Sequence, residues 1–412
     1  MKYRLGLIDH GFVPRKLTVS YVAVCTGDID MALLRAAFAL LCRKYPMLRG
    51  TIELTGGDCW LHIPDDDSSA AVVEIVEDGI GDWLARAVTP LDPAHSLAKL
   101  TIVSEGERTA VALHVCHAIN DAAMGFALLE YFWHTAAALS EGAAFPEPIP
   151  VHPRGLEHAY RARAMVLPDL AVPAAGPVHS IAPVDRGEGT GFRPVPTQRI
   201  TLSQRETDAL LGHARACGTT LHALLGAAIV RAERTILAES ADDAAELPMI
   251  MFHLVDLRPH LHPPARPDEV TNALGFAPTI IVCAPGSEPG VLAKAAKSQI
   301  IARIEGGSAL AVMLAAAALA AQGRPRSGAG NFITNWGVVP DLAVPEGMEM
   351  VDFRGFGTSE PVTWVGYFVS TFAGRLSIEL AFSPRFHRPA RIAELREVIV
   401  ANLAELTALA LR

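Results

Sequence analysis

The spacing of apolar residues predicts a chain of alternating strands and helices. Residues 100–103 and 109–113 are short runs of strand-forming residues joined by a polar loop at 105–108, which is typical of a β-hairpin. Residues 122–139 lack proline and are rich in Ala, Leu, Phe and Met, which predicts a buried helix. The segment between the hairpin and this helix is therefore expected to be a strand-to-helix turn.

Similar patterns recur on both sides of this turn. Strands are predicted at 16–24, 51–54, 59–63, 72–76, 198–202, 249–256, 279–283, 332–336, 348–353, 364–371 and 375–382. Helices are predicted at 31–44, 83–88, 156–165, 203–216, 219–237, 288–304, 309–322 and 389–411. The order of these elements indicates an α/β protein with no visible internal repeat.

Prolines divide the chain into two parts. Ten of them lie between residues 146 and 196, a density that prevents regular strand pairing and is typical of a connector. We therefore expect an N-terminal half over 1–150, a proline-rich connector over 151–197 and a C-terminal half over 198–412.

Composition limits the classes of function. The net charge of −9 argues against nucleic-acid binding, which uses a basic surface. The longest apolar run, 309–321, is too short to cross a bilayer, and the first residues do not resemble a signal peptide, so no transmembrane segment and a cytoplasmic location are expected. The six cysteines show no Cys-x-x-Cys spacing, and no metal site or disulfide framework is expected.

Candidate chemistry lies in the predicted turn, where His117 and Asp121 form a His-x-x-x-Asp motif. An imidazole exchanges protons near neutral pH, which makes His117 a candidate general base. The motif is short enough to occur by chance. The residues alone also allow Asp121 to be a helix cap and His117 to be a core side chain.

Several stretches together resemble the superfamily of acyltransferases that includes chloramphenicol acetyltransferase, plant BAHD acyltransferases, peptide-synthetase condensation domains and mycobacterial polyketide-associated acyltransferases. Its core motif is His-His-x-x-x-Asp-Gly, and residues 116–122 are similar to it. Cys116 replaces the first His and Ala122 replaces the Gly. The resemblance is greatest to the mycobacterial polyketide-associated acyltransferases and the alcohol O-acetyltransferases.

Further segments resemble this superfamily in the same order along the chain. They are Arg43-Lys44-Tyr45-Pro46-Met47-Leu48-Arg49, the stretch 90–100, the helix opening at Thr219-Thr220, Val255-Asp256-Leu257-Arg258-Pro259, Thr271-Asn272-Ala273-Leu274-Gly275-Phe276, Thr334-Asn335-Trp336-Gly337 and the strand 374–380. The resemblance thus spans nearly the whole chain. It implies two chloramphenicol-acetyltransferase-like αβ sandwich halves arranged as a V around a central tunnel.

The resemblance also implies roles for individual residues. His117 would be the general base, and Asp121 would pair with Arg258 to hold the catalytic turn. Oxyanion or tunnel candidates are Thr334, Asn335, Trp336 and, more weakly, Asn272. An alternative is that Trp336 only shapes the wall and that Asn335 bonds to backbone.

Arg324 and Arg326 form a local basic patch in an acidic protein. They could contact the phosphates of a donor or an acidic carrier protein. Alternatively they belong to a solubilising loop.

The function implied is transfer of an acyl group to a hydroxyl of a hydrophobic natural-product or lipid acceptor. The donor would be an acyl-coenzyme A or an acyl-carrier-protein thioester, so coenzyme A or phosphopantetheine is expected as part of a co-substrate and no bound cofactor is expected. Two alternatives remain: carrier-protein-dependent amide or ester condensation in nonribosomal peptide or polyketide biosynthesis, and a binding protein that retains the scaffold without transfer.

Overall fold

The computed structural model describes residues 1–65, 72–77, 79–85, 89–142, 146–170, 177–181, 197–238, 246–322, 330–360 and 362–410. The strands within these ranges are β1 Lys2–Arg4, β2 Thr18–Gly27, β3 Thr51–Thr55, β4 Asp58–His62, β5 Val72–Val76, β6 Ala98–Glu105, β7 Arg108–Cys116, β8 Thr197–Thr201, β9 Leu247–Asp256, β10 Leu274–Cys283, β11 Asn331–Val338, β12 Met348–Thr358, β13 Gly366–Phe372 and β14 Arg375–Ala381. The helices are α1 Leu7–Phe12, α2 Met31–Lys44, α3 Ile80–Ala85, α4 Ala122–Ser140, α5 Leu156–Ala162, α6 Gln204–Ala216, α7 Leu221–Ala238, α8 Pro289–Glu305, α9 Ser308–Ala321 and α10 Pro389–Ala410.

The first lobe is built on a five-stranded sheet with the order β12-β2-β7-β6-β5. One face of this sheet packs against α2 and α4, which together enclose an apolar core. Strand β2 is buried from Thr18 to Cys25 because its other face also meets apolar side chains, including Phe356 and Phe368. This double burial explains why β2 has so few polar positions.

The second lobe is built on a six-stranded sheet with the order β10-β9-β11-β13-β14-β8. Helices α6, α7, α8 and α10 contribute side chains to a separate apolar core on one face of it. Helix α6 begins at a capping box, in which Ser203 and Glu206 exchange hydrogen bonds with each other's backbone N–H. The two-lobed α/β architecture expected from the sequence is confirmed.

One strand crosses between the lobes. β12 lies in the C-terminal part of the sequence but pairs antiparallel with β2 of the first lobe. Its Asp352 accepts hydrogen bonds from Arg199 of β8 at 2.5 and 2.9 Å, and its Arg354 donates to Glu379 of β14 at 2.6 and 2.7 Å. These ion pairs join the first sheet to the second.

The division of the chain at residues 150 and 198 stays a prediction, because much of the connector lies outside the described residues. Most predicted strands and helices are present within a few residues of their expected bounds. The sequence interpretation assigned no element before residue 16, where the structure has β1 and the six-residue α1. The residue before α1 is Gly6, which has no side chain to cap the helix, so the usual start signal is missing.

Helices α8 and α9 follow each other closely along the chain. No single described helix is long and apolar enough to cross a membrane. These two meet the criteria of length and composition only together, with a bend of 80° between them.

Candidate active site

The His-x-x-x-Asp motif occupies the junction between β7 and α4. Strand β7 ends at Cys116, a short 3₁₀ turn covers His117–Ile119, and α4 begins at Ala122. The backbone N–H of His117 donates to the carbonyl of Leu17 at 2.7 Å, which fixes the turn to the segment before β2. The turn is thus anchored at both ends by regular structure.

The Asp121 carboxylate is buried and fully hydrogen-bonded. Arg258 donates to it from Nη1 at 2.8 Å and from Nη2 at 2.9 Å, in a bidentate pair. Backbone N–H groups of Met124 and Ala273 donate to the same carboxylate at 3.0 and 2.9 Å. Asp121 is therefore both the cap of α4 and an ion-pair partner of Arg258, so the two interpretations of this residue are compatible.

The pair joins the two lobes. Arg258 belongs to the turn that follows β9, and its side chain and that of Asp121 are only 3% and 2% exposed. Arg258 also donates to the carbonyl of Val270 at 2.6 Å and to Asp256 at 3.2 Å. A guanidinium with these acceptors stays charged in a buried place.

The His117 ring is held on two sides. Phe12 of α1 stacks on it with ring centroids 4.0 Å apart and planes 18° apart. Nδ1 lies 3.1 Å from Oδ1 of Asn272, a residue that precedes β10. The same ring also lines a cavity between the lobes, so His117 is not an enclosed core side chain.

Burial lowers the pKa of His117 from its ordinary value of 6.5. A hydrogen bond between the ring and the residue's own backbone and the nearby Asp121 carboxylate oppose this effect. Burial therefore favours the neutral form of the imidazole. Its neighbours in β7 are unsuited to proton transfer there: burial lowers the pKa of His114 to about 3 and raises that of Cys116 to about 12. Because the Cys116 thiol is buried and its pKa is raised, Cys116 and His117 do not form a thiolate–imidazole nucleophile.

The cavity beside His117 is mostly apolar. The empty space beside its lining atoms, including open solvent at its mouth, is about 1130 Å³. Four of its lining residues come from one face of α9 at helical spacing, and others come from β9, β10, β11 and β13. The lining includes Ile8, Phe12, Leu254, Phe276, Met313, Ala316, Ala317, Ala320, Phe332, Trp364 and Phe368.

The structure separates the sequence-predicted oxyanion and tunnel candidates. Thr334 and Trp336 of β11 line the cavity. Asn335 is not among the described lining residues, and its Oδ1 accepts the backbone N–H of Gly337 at 2.9 Å, as the alternative interpretation held. Asn272 is fully buried beside His117, so its amide does not reach the cavity.

The two arginines of the predicted basic patch, Arg324 and Arg326, lie outside the described residues. In the described part of the chain, no group of three or more His, Cys, Asp or Glu side chains is arranged to hold a metal ion.

Helix α1 supplies contacts that the sequence interpretation missed. It carries Phe12 to the face of the His117 ring and Asp9 to the side chain of Asn272, and Arg15 lies just beyond it on the cavity wall. Within the described residues, the Arg15 side chain has no hydrogen-bond or ion-pair partner, and burial lowers its pKa. The only local signal was the spacing of Ile8, Phe12 and Arg15, which is too short to identify a helix.

Comparisons with known proteins place this geometry in context. Residues 192–381 match the family model "Phthiocerol/phthiodiolone dimycocerosyl transferase C-terminus". The phthiocerol/phthiodiolone dimycocerosyl transferase of Mycobacterium tuberculosis strain H37Rv is 26% identical over 402 residues, with 91% of each chain covered.

Two solved structures are similar to the whole chain. Polyketide synthase associated protein 5 from Mycobacterium tuberculosis has a TM-score of 0.77 at 23% identity, covering 98% of both chains. The first condensation domain of the calcium-dependent antibiotic synthetase has a TM-score of 0.68 at 17% identity, covering 99% of this chain and 96% of its own.

The two lobes have the fold of these solved structures, a polyketide-synthase-associated protein and a condensation domain. In sequence, the C-terminal part of the chain is similar to the dimycocerosyl transferase family model, and nearly the whole chain is similar to the mycobacterial transferase named above.

Loss of one partner of the buried ion pair should destabilise the fold. We expect Arg258→Met to lower the free energy of unfolding by about 3–5 kcal/mol, because it leaves the Asp121 carboxylate buried without its cation. Arg4→Met, which breaks the exposed Arg4–Asp58 pair, should cost less than about 1 kcal/mol. Urea unfolding of both variants measures the difference.

The double variant Asp121→Leu with Arg258→Met removes both charges and should recover part of the loss. Equal urea midpoints of unfolding for Arg258→Met and Arg4→Met would contradict a large contribution of the buried pair to stability.

Proposed function

We propose that the protein transfers an acyl group from a coenzyme A or carrier-protein thioester to a hydroxyl of a hydrophobic small molecule. The observation that carries the proposal is an imidazole on the wall of an apolar cavity built from both lobes. The similarity to the dimycocerosyl transferase family model and to the transferase of Mycobacterium tuberculosis supports the same reaction class. An apolar cavity suits an acceptor of lipid or natural-product type.

In the proposed reaction, Nε2 of His117 accepts the proton of the acceptor hydroxyl while the hydroxyl oxygen attacks the thioester carbonyl carbon. The resulting tetrahedral intermediate carries its negative charge on the former carbonyl oxygen. Breakage of the carbon–sulfur bond releases the thiolate, which accepts the proton that His117 took from the hydroxyl. No covalent enzyme intermediate is needed, because the cavity holds both substrates next to the base.

The oxyanion needs a hydrogen-bond donor. Of the predicted candidates, Thr334 and Trp336 line the cavity, and the Thr334 hydroxyl is the one we propose for this role. The guanidinium of Arg15 on the same wall suits the phosphate of a phosphopantetheine or coenzyme A donor. Arg324 and Arg326 stay further candidates for donor or carrier contacts.

The acceptor of the acyl group separates this function from its alternatives. Purified protein would be incubated with radiolabelled acetyl-coenzyme A or, separately, labelled acyl carrier protein, and with either a free hydrophobic alcohol or a second carrier protein that bears an amine or alcohol. Transfer from either donor to the free alcohol supports the proposal. Transfer to an amine or alcohol only on a second carrier protein supports condensation, and no transfer in any arm supports a binding protein.

The general-base role predicts a large loss on removing the imidazole. His117→Ala should lower kcat by about 10²- to 10⁴-fold with the fold intact. His95→Ala, which removes an exposed imidazole with 83% side-chain exposure, is the matched control and should keep full turnover. Unchanged turnover in a folded His117→Ala variant would remove His117 from the mechanism.

The pH dependence of kcat/KM should show the environment of this base. Only the neutral imidazole accepts a proton, and burial lowers the pKa of His117 below 6.5, so activity should persist on acidification and fall only below that pH. Rate measurements from pH 4 to 8, with circular dichroism to confirm folding, check this. An acid limb centred at or above pH 6.5 would contradict the buried state of the ring.

The alanines of α9 should limit the size of the hydrocarbon accepted. Ala316 lines the cavity, so Ala316→Phe should fill part of it and disfavour longer substrates by about fourfold for each excluded CH₂, or about 0.8 kcal/mol. Ala318→Phe is a matched control, because Ala318 is also partly exposed but is not among the lining residues. Relative rates are measured with acyl-coenzyme A donors from acetyl to palmitoyl and with alcohols of increasing length. An unchanged size profile in Ala316→Phe would exclude this wall from the substrate path.

A further inference from the structure

Behind the catalytic turn lies a carboxyl group to which the general acyl-transfer mechanism gives no role. Asp9 of α1 is 1% exposed. Its Oδ1 accepts a hydrogen bond from Nδ2 of Asn272 at 2.9 Å, and the Thr271 hydroxyl lies 3.1 and 3.0 Å from its two oxygens. Asp9 thus reaches His117 through a single intervening side chain.

The hydrogen bonds of Asn272 determine which way its amide faces. Its Nδ2 also donates to the backbone carbonyl of His117 at 2.8 Å. A backbone carbonyl can only accept, so the amide nitrogen must lie on this side and the amide oxygen must face the His117 ring. If the amide were rotated, its oxygen would face the His117 carbonyl oxygen and Asp9 Oδ1, and both hydrogen bonds from Nδ2 would be lost.

This orientation fixes the tautomer of the base. The amide oxygen lies 3.1 Å from Nδ1 of His117 and has no proton to donate, so Nδ1 must carry the hydrogen. In a neutral imidazole the lone pair is then on Nε2. The arrangement provides a proton acceptor at Nε2, which is the nitrogen that the proposed reaction requires.

We propose that Asp9 is a positioning residue for the general base: by accepting from Nδ2 of Asn272, it holds the amide in the orientation that keeps His117 in the Nδ1–H tautomer. This inference rests on the proposed function for its catalytic consequence, but not for the tautomer itself. The interaction joins α1, the segment before β10 and the turn after β7.

The surroundings of Asp9 indicate that an acceptor, and not a negative charge, is what the position needs. A side chain on Gly155 would start 2.7 Å from Asp9 Oδ2 and 3.2 Å from Glu157 Oε2, so both carboxyl oxygens crowd the same glycine. Glu157 Oε1 accepts the N–H of Ile8 at 3.1 Å, while Oε2 has no partner among the described residues. Burial and the Glu157 carboxylate raise the pKa of Asp9.

These contacts select the test variants. Asp9→Asn keeps an acceptor towards Asn272 and places an amide NH₂ on the side of the unpartnered Glu157 Oε2. It should therefore preserve the orientation of the Asn272 amide and the tautomer of His117. Asp9→Ala removes the acceptor. Glu157→Gln keeps the acceptor for Ile8 and leaves Asp9 in place, which makes it a control for disturbing the buried carboxyl group without touching Asn272.

The direct measurement is the ¹⁵N spectrum of histidine-labelled protein at neutral pH, with the His117 signals identified by their loss in His117→Ala. We expect the Nδ1–H tautomer in the unmodified protein, in Asp9→Asn and in Glu157→Gln, and a mixture of tautomers in Asp9→Ala. In transfer assays, Asp9→Ala should lower kcat at least about tenfold with KM nearly unchanged, and Asp9→Asn should keep most of kcat.

The outcomes separate this inference from the proposed function. An Nε2–H tautomer in the unmodified protein overturns the inference even if Asp9→Ala fails to fold. So does an Asp9→Ala variant with unchanged His117 signals and kcat, or an Asp9→Asn variant as impaired as Asp9→Ala. The Nδ1–H tautomer with its predicted response to Asp9→Ala, in a protein that transfers no acyl group from any donor, supports the inference and removes only the proposed function.

Discussion

The ion pair between Asp121 and Arg258 is the constraint on which the site depends. Desolvation of two charges costs several kcal/mol for each ion, so a buried pair is stable only when its remaining hydrogen-bonding capacity is satisfied. Here the carboxylate receives two N–H groups of Arg258 and the backbone N–H groups of Met124 and Ala273. These donors come from three separate segments, so the start of α4, the turn after β9 and the start of β10 are fixed by one carboxylate.

This coupling explains why the His117 imidazole lies where the lobes meet. The turn of His117 is anchored by Asp121, but the ring itself is held by groups from outside the first sheet, namely Phe12 of α1 and Asn272 of the second lobe. These contacts to the ring therefore exist only when the lobes are docked. The ion pairs of Asp352 and Arg354 across β12 stabilise the same docking at a second place.

The sequence predicted the local parts of this arrangement well. Strand β7, helix α4 and the turn between them follow from apolar spacing, and the family motifs indicated both Asp121 and Arg258 although 136 residues separate them. The sequence did not reveal α1, whose six residues have no capping side chain. Nor did it reveal that β12 joins the first sheet, because strand pairing is a non-local property that the pattern of one strand does not encode.

Asn272 shows the same limit for a side chain. Its position beside a family motif suggested an oxyanion donor, whereas its amide is occupied by His117 and Asp9. An amide has the same donors and acceptors wherever it stands, and only the partners brought together by folding decide its role. In this site the partners are 155 and 263 residues away along the chain.

The electrostatics of the site favour a general base over a covalent nucleophile. Burial keeps Cys116 a thiol, with a pKa raised to about 12, and favours the neutral form of His117. A base of lowered pKa accepts a proton less strongly, but it needs no deprotonation before it acts, and it adds no fixed charge to an apolar cavity. In such a cavity a hydrogen bond to a developing oxyanion is stronger than in water, because fewer water dipoles screen it. The proposed chemistry thus depends on exclusion of water and on the alignment of the imidazole, and the described contacts of Asp121 and Asn272 provide that alignment.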